Sequence, residues 1–245
     1  MRLHIIGSSS MGNAYYLEGE HQSLLIEAGV PFKWVKQSLK FRTDNVVGCL
    51  LSHSHNDHAK YTTEIAKNGI NIYGSLESLN NCGVIDAVQH RSKIVVPTRK
   101  YKIGEFTVLP FELVHDTKVY GYLIHHKEMG LTSFITDTYY CPFVFPGLNN
   151  VIIEANYSNS VIDDNVLCGN INPKLAARIK QTHMSDDRAL HFIKNNNLKE
   201  IRNIILIHMS KINIINADVK LKFEQQLGIS PTLAKRNIIV NLSEF

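Results

Sequence analysis

Between His53 and His58 the chain reads His-Ser-His-Asn-Asp-His, directly after the apolar run Val46 to Leu51. A lone histidine is usually an ordinary polar residue that has found a hydrogen bond, but four nitrogen and oxygen donors in so short a stretch point to a metal site. Neutral imidazoles and a carboxylate suit zinc, and also manganese or iron. On an α-helix His53 and His55 would point to nearly opposite sides, so this is not a helical ligand pair. A tight loop leaving a strand lets the side chains converge. Crowding disfavours placing all four donors on one ion, which makes two ions sharing the loop the natural arrangement. Further ligands must then come from elsewhere, and three donors follow apolar runs directly: His115 in "FELVHD", Asp137 in "SFITDT" and His208 in "IILIHMS".

The elements that would position these residues are legible. "LHIIG", "AYYLEGE" and "SLLIEAG" are short β-rich runs broken by turn residues, which predicts an opening meander. Pro31 to Phe41 carries apolar residues at helical spacing behind a proline start. "VVGCLLS" is apolar without alternation, the pattern of a strand buried on both faces. "FTVLPFELV", "VYGYLIHH", "TSFITDT" and "VIIEAN" predict four more strands. In the last third, "NPKLAARIKQT", "SDDRALHFIKNN" with Ser185 as N-cap, and "NADVKLKFEQQLG" ended by Gly228 predict helices, with "RNIILIHMS" and "RNIIVNL" as strands.

The 245 residues suffice for one large domain with its own core. A formal net charge of +4, evenly spread, tolerates a phosphate-bearing partner without marking a nucleic-acid groove, and the basic residues from Lys33 to Arg42 and from Lys93 to Lys100 read as solvated surface. Cys49, Cys82, Cys141 and Cys168 form no CxxC pair, which suggests a reduced, cytoplasmic setting. The N-terminus does not read as a signal peptide, and no apolar run approaches the ~20 residues of a membrane helix.

The His-x-His-x-Asp-His run, then a strand-end histidine, an aspartate in Thr-Asp-Thr and a late strand-end histidine, resemble in that order the metallo-β-lactamase fold superfamily. The resemblance implies an α/β fold, a four-layer αββα sandwich formed by residues 1–245 as a single domain, and two divalent metal ions, zinc first and manganese as the alternative. Carried over by position, it places one ion on His53, His55 and His115 and the second on Asp57, His58 and His208, with Asp137 bridging them. Two cations about 3.5–4 Å apart activate a shared water and stabilise charge on a phosphoryl or acyl oxygen.

Residues beyond the ligands narrow the branch. Gly7 to Asn13, "GSSSMGN", resembles the opening loop of the exonuclease-like branch typified by YycJ, a neighbour of RNase Z. "VIIEANYS" resembles that branch's Glu-x-Asn segment, and "THMSDDRAL" with "LIHMSKIN" its paired His-hydrophobic-Ser motifs. Asp57 and His183 are the candidate catalytic residues. His183 either donates a proton to the leaving oxygen or binds a phosphate oxygen; the plainer alternative is a helix-entry residue beside Ser185. Glu27 stands where the superfamily usually has an aspartate, which reads as a structural swap. Ile153 to Asn156 replace the His-Glu-Ala-Thr of RNase Z, which argues against tRNA maturation.

The compact, mildly basic chain is similar to the anti-Pycsar phosphodiesterases of phages. That resemblance implies a small 3′,5′-cyclic nucleotide as substrate, destruction of a defence signal in the host cytoplasm, and a homodimer. A YycJ-like DNA exonuclease is the alternative, and a thioester or lactam hydrolase a more distant one. Tyr139, Tyr140, Phe143, Asn156 and Tyr157 are candidates for base recognition by their place in sequence.

Overall fold

The computed structural model describes residues 1–243. Its opening runs form the expected antiparallel meander, β1 (Arg2–Gly7), β2 (Ala14–Glu18) and β3 (Ser23–Ile26), with Tyr16 opposite His4 on one side and Leu25 on the other. β4 (Val46–Leu50) then lies parallel to β3, Ile26 opposite Leu50, and β5 (Ile72–Gly74) and β6 (Ser92–Ile94) extend the sheet in parallel. β4 alternates faces as a central strand must. Leu50 packs between the two sheets and Cys49 under the outer helices, which is why its sequence is apolar without a break.

The second sheet holds β7 (Tyr101–Ile103), β8 (Phe106–Leu113), β9 (Val119–His126), β10 (Gly130–Ile135), β11 (Leu148–Glu154), β12 (Asn203–Ile207) and β13 (Thr232–Leu233). From β7 to β10 it is antiparallel; β10 to β13 run parallel. β14 (Ile239–Asn241) returns to the edge of the first sheet beside β1.

Helices cover both outer faces. α1 (Phe32–Ser38), α2 (Asn56–Ala59), α3 (Thr62–Lys67), α4 (Leu76–Asn81) and α5 (Val84–Val88) belong to the first half, and α6 (Asn159–Leu167), α7 (Pro173–Thr182), α8 (Asp186–Lys194) and α9 (Asn216–Leu227) to the second. The core between the sheets takes residues from both, among them Leu50, Phe134, Ile152 and Ile207, while Ile153, Leu206 and Phe192 pack outside the second sheet. This is the αββα sandwich expected from sequence.

Three local differences have physical causes. α1 stops at Ser38 rather than Phe41, because Lys40 and Phe41 adopt φ of 50° and 63°, outside the helical region. Residues 62–94, given no elements from sequence, form three short α-helices, one turn of 3-10 helix (Gln89–Arg91) and two short strands whose few residues leave no clear period. The His53 to His58 stretch is only half a loop: Asn56–Ala59 is a helical turn, so Asp57 and His58 stand on a helix and only His53 and His55 precede it. Among the described residues no helix is long and apolar enough to cross a membrane.

Candidate metal centre

The site lies where strands end. His53 and His55 follow β4, His115 follows β8, Asp137 follows β10 and His208 follows β12. The strand ends are strained where they meet: Glu27, Asp137 and His208 adopt φ of 67°, 41° and 51°, a region L-residues enter only when their surroundings hold them there.

The surrounding bonds are present at each. Thr136 and Thr138 of the Thr-Asp-Thr run pin Asp137: the Thr136 hydroxyl donates to Asp137 Oδ1 at 2.7 Å. Thr138 Oγ1 accepts from Val114 N at 3.1 Å and donates to Val114 O at 3.0 Å, which brings His115 beside Asp137. The "GSSSMGN" loop clamps two other parts at once. Ser8 Oγ accepts from His208 N at 3.0 Å, and Asn13 donates from its backbone to Asp57 O at 2.7 Å. Gly29 passes so close to this turn that a Cβ there would sit 1.7 Å from Asp57 O, so only glycine fits.

All seven expected ligands come together, in two groups that share one aspartate. His53, His55, His115 and Asp137 place one ligand atom each within 4.8 Å of one another, and so do Asp57, His58, Asp137 and His208. Ligands at 2.0–2.1 Å around a tetrahedral ion stand roughly 3.4 Å apart. The facing pairs match that spacing: His115 Nε2 to His55 Nδ1 at 3.4 Å, His58 Nε2 to Asp57 Oδ2 at 3.3 Å and to Asp137 Oδ1 at 3.2 Å, and His208 Nε2 to Asp57 Oδ2 at 3.1 Å. Most telling, His53 Nε2 is buried without a hydrogen-bond partner, 3.8 Å from Asp137 Oδ2. A buried orphan nitrogen is costly unless something else fills its lone pair. These clusters are able to coordinate divalent metal ions.

The far ring nitrogens explain why the near ones point inward. His115 Nδ1 donates to Thr182 O at 2.8 Å, His53 Nδ1 is bonded to Ser52 Oγ at 2.8 Å, and His208 Nδ1 donates to Glu154 Oε1 at 3.1 Å. Glu27 Oε2 faces His58 Nδ1 at 3.5 Å. Outer partners of this kind set the tautomer and raise ligand basicity.

Electrostatics divides the histidines. Burial pushes His53 and His115 below the usual imidazole range, the first of them strongly. Burial also pulls His208 down, but Asp137, Asp57 and Glu154 outweigh it and raise it to about 10, and carboxylates raise His58 in the same way. Burial would lift Asp57 and Asp137, yet the adjoining His208 and His58 hold both well below the carboxylate range.

Sequence reasoning gave Glu27 and Glu154 no catalytic part. Glu154 is fully buried and its carboxylate takes four donors: His183 Nδ1 at 2.7 Å, His208 Nδ1 at 3.1 Å, Met184 N at 3.0 Å and Thr138 N at 3.2 Å. Its signal in sequence is a carboxylate directly after the apolar "VII" of β11, the same pattern that picks out Asp137. His183 sits at the end of α7, two residues before the Ser185 cap of α8, and lines the metal-site pocket with Nδ1 held by Glu154.

The expectation for base recognition fails on geometry. None of Tyr139, Tyr140, Phe143, Asn156 and Tyr157 lines that pocket, whose walls beyond the ligands are Ser10, Leu175, Arg178, Ile179, Thr182 and His183. Tyr157 is buried, and Asn156 spends its amide on His208 O at 2.9 Å. Tyr139 N donates to Val114 O, and the chain leads on to a separate cavity where Arg188 covers the Tyr139 ring at 3.6 Å.

Two facing mixed sheets, helices outside, and His/Asp clusters at the strand ends define a protein of the metallo-β-lactamase fold. The solved metallo-β-lactamase-fold protein YhfI of Bacillus subtilis superposes with a TM-score of 0.75 at 16% identity, covering 98% of each chain. Among curated proteins, the chain is 23% identical over 236 residues to exodeoxyribonuclease WalJ of Streptococcus pneumoniae serotype 2, covering 91% of this chain and 87% of the relative. It is 23% identical over 239 residues to exodeoxyribonuclease YycJ of Bacillus anthracis, covering 93% and 90%. No family model matches the chain.

Proposed function

We propose that this protein is a two-metal phosphodiesterase that shortens DNA from an end. The observation that carries the phosphodiesterase reading is the pair of ligand groups sharing Asp137, with His183 held by Glu154 on the wall of the same pocket. The choice of DNA is supported by the two exodeoxyribonucleases to which nearly the whole chain is similar, and by a metal-site pocket without an aromatic platform for a lone base. The support lies with the nucleic-acid alternative rather than with the small cyclic nucleotide that the sequence favours.

In this reading His53, His55 and His115 would hold one ion and Asp57, His58 and His208 the other, with Asp137 common to both groups. The ions, zinc first and manganese as the alternative, would supply Lewis acidity toward the attacking water and a phosphoryl oxygen. The chain's own residues do the rest. Asp57 and Asp137 offset the positive charge. Glu154 accepts a hydrogen bond from Nδ1–H of His183, which orients the ring and favours its cationic form, so Nε2 is the atom that gives a proton to the leaving oxygen. The Glu154 carboxylate also fixes the tautomer of His208 and so couples the proton donor to the second ligand group. Single-domain organisation and a homodimer stay part of the proposal, the latter checked by light scattering in solution.

The test is end-labelled single- and double-stranded DNA beside a panel of 3′,5′-cyclic nucleotides, each incubated with zinc- or manganese-loaded protein. Stepwise shortening of DNA is expected. Opening of a cyclic nucleotide with DNA left intact would overturn the substrate, and loss of neither with full metal loading would overturn the activity.

A further inference from the structure

Two more cavities continue away from the candidate centre. One of about 420 Å³ shares Ser10, Leu175 and Ile179 with the metal-site pocket, and one of about 590 Å³ shares Ser9, Met209, Ser210 and Lys211 with the first. The three form one path, running between the "GSSSMGN" loop and the segment after His208 and ending at Lys235 and Arg236. No carboxylate lines either added cavity, whereas Lys211, Lys235 and Arg236 do. All three cations are exposed and have no ion-pair partner among the described residues. Arg236 reaches α1, which is far away in sequence: its guanidinium rests over Trp34, 3.7 Å from the ring centroid. Such stacking presents an arginine's donors to a phosphate while limiting the rotamer freedom lost on binding.

A cyclic mononucleotide has no use for a basic path leading away from the reacting bond. A strand carrying one phosphate per nucleotide does, because each phosphate seeks a lysine or arginine. We infer that this groove seats a single DNA strand beyond the scissile bond, with Lys211, Lys235 and Arg236 on its phosphates. The inference rests on the phosphodiesterase reading and specifies how the substrate lies. The hydroxyls and backbone of Ser9 and Ser10 stand where the strand passes from the groove into the centre.

Trp34 is the only tryptophan in the chain, so its fluorescence reports on Arg236 directly. Metal-loaded protein titrated with a short single-stranded phosphorothioate oligonucleotide should show a saturable change in that emission, weakened steeply by salt. In parallel, binding of a fluorescein-labelled copy is followed by anisotropy for wild type, Arg236→Ala and the combined Lys211→Ala, Lys235→Ala, Arg236→Ala variant. The triple variant should bind about tenfold or more weakly, and each cation removed should lower the salt slope by about one. Arg236→Lys, which keeps the charge, should retain most of the salt slope. The substitutions should raise KM for the oligonucleotide far more than KM for thymidine 5′-p-nitrophenyl phosphate, which is too short to reach the groove. Equal oligonucleotide binding by wild type and triple variant would overturn the inference, as would an identical Trp34 response to a cyclic mononucleotide. Failure of wild type to hydrolyse DNA, the small diester or a cyclic nucleotide would instead overturn the phosphodiesterase reading, and the binding measurements would still decide the groove.

Discussion

The two ligand groups share Asp137 yet are built differently. The group of His53, His55 and His115 is steered by neutral partners at two of its rings, the Ser52 hydroxyl and the Thr182 carbonyl, and burial keeps those two imidazoles neutral. The group of Asp57, His58 and His208 is surrounded by carboxylates, with Glu27 behind one ring and Glu154 behind the other, and those carboxylates raise the pKa of both imidazoles. The first group is thus prepared for a cation and the second is electrostatically richer but must give up protons to receive one. His183 lies edge-on to His115, with ring centroids 5.6 Å apart, but its hydrogen-bonded link, through Glu154, runs to His208 of the second group. In the proposed two-metal reading, the first group would mainly anchor an ion while the second would couple its ion to proton transfer.

The most severe way to break the comparison is Asp137→Ala, which removes the residue common to both groups. Metal content should fall below one ion per chain by elemental analysis, and phosphodiester hydrolysis should drop by about three orders of magnitude or more, since several kcal/mol of charge stabilisation goes with the ions. Glu154→Gln should act on one group alone. It should weaken the second ion by about 10–100-fold in a metal-competition titration, leave the first in place, and remove the alkaline limb of the kcat profile that a cationic His183 produces. Loss of both ions together would deny the asymmetry.

Acidification should separate the groups more gently. His58 and His208 have raised pKa values, so a proton competes with the second ion at neutral pH and more strongly below it, about tenfold in apparent affinity per unit for each proton displaced. His53 and His115, shifted the other way, begin to compete only at lower pH. Equilibrium dialysis at falling pH should therefore release the second group's ion first. The smallest effect is expected from Ser52→Ala, which takes away one neutral hydrogen bond to His53 worth about 1 kcal/mol, roughly a fivefold loss in affinity for the first ion only.

Some of this organisation is visible from residue order because the chemistry is local. The His53 to His58 run follows a strand whose apolar pattern is unmistakable, and His115, Asp137 and His208 each stand just after such a strand. Ser185 caps α8 and Gly228, at φ 70°, ends α9, as their types require. Other parts resist because their meaning is not local. Residues 62–94 form elements too short for a period to show. Glu27 reads as a swap within a strand end, and only the packing of β3 beside β4 sets its carboxylate against His58. Tyr139, Tyr140 and Phe143 look like substrate contacts by proximity, but the bond from Tyr139 to Val114 belongs to a turn that no residue spacing reveals.

The sequence by itself determined which donor atoms are available and that they sit at the ends of strands, because ligand chemistry and strand periodicity are properties of neighbouring residues. Tertiary structure alone decided which nitrogen of each histidine faces inward, that Glu154 joins His183 to His208, and that Lys211, Lys235 and Arg236 meet along one groove. Those are contacts between segments from one end of the chain to the other, and only the closing of two sheets upon each other brings them within bonding distance.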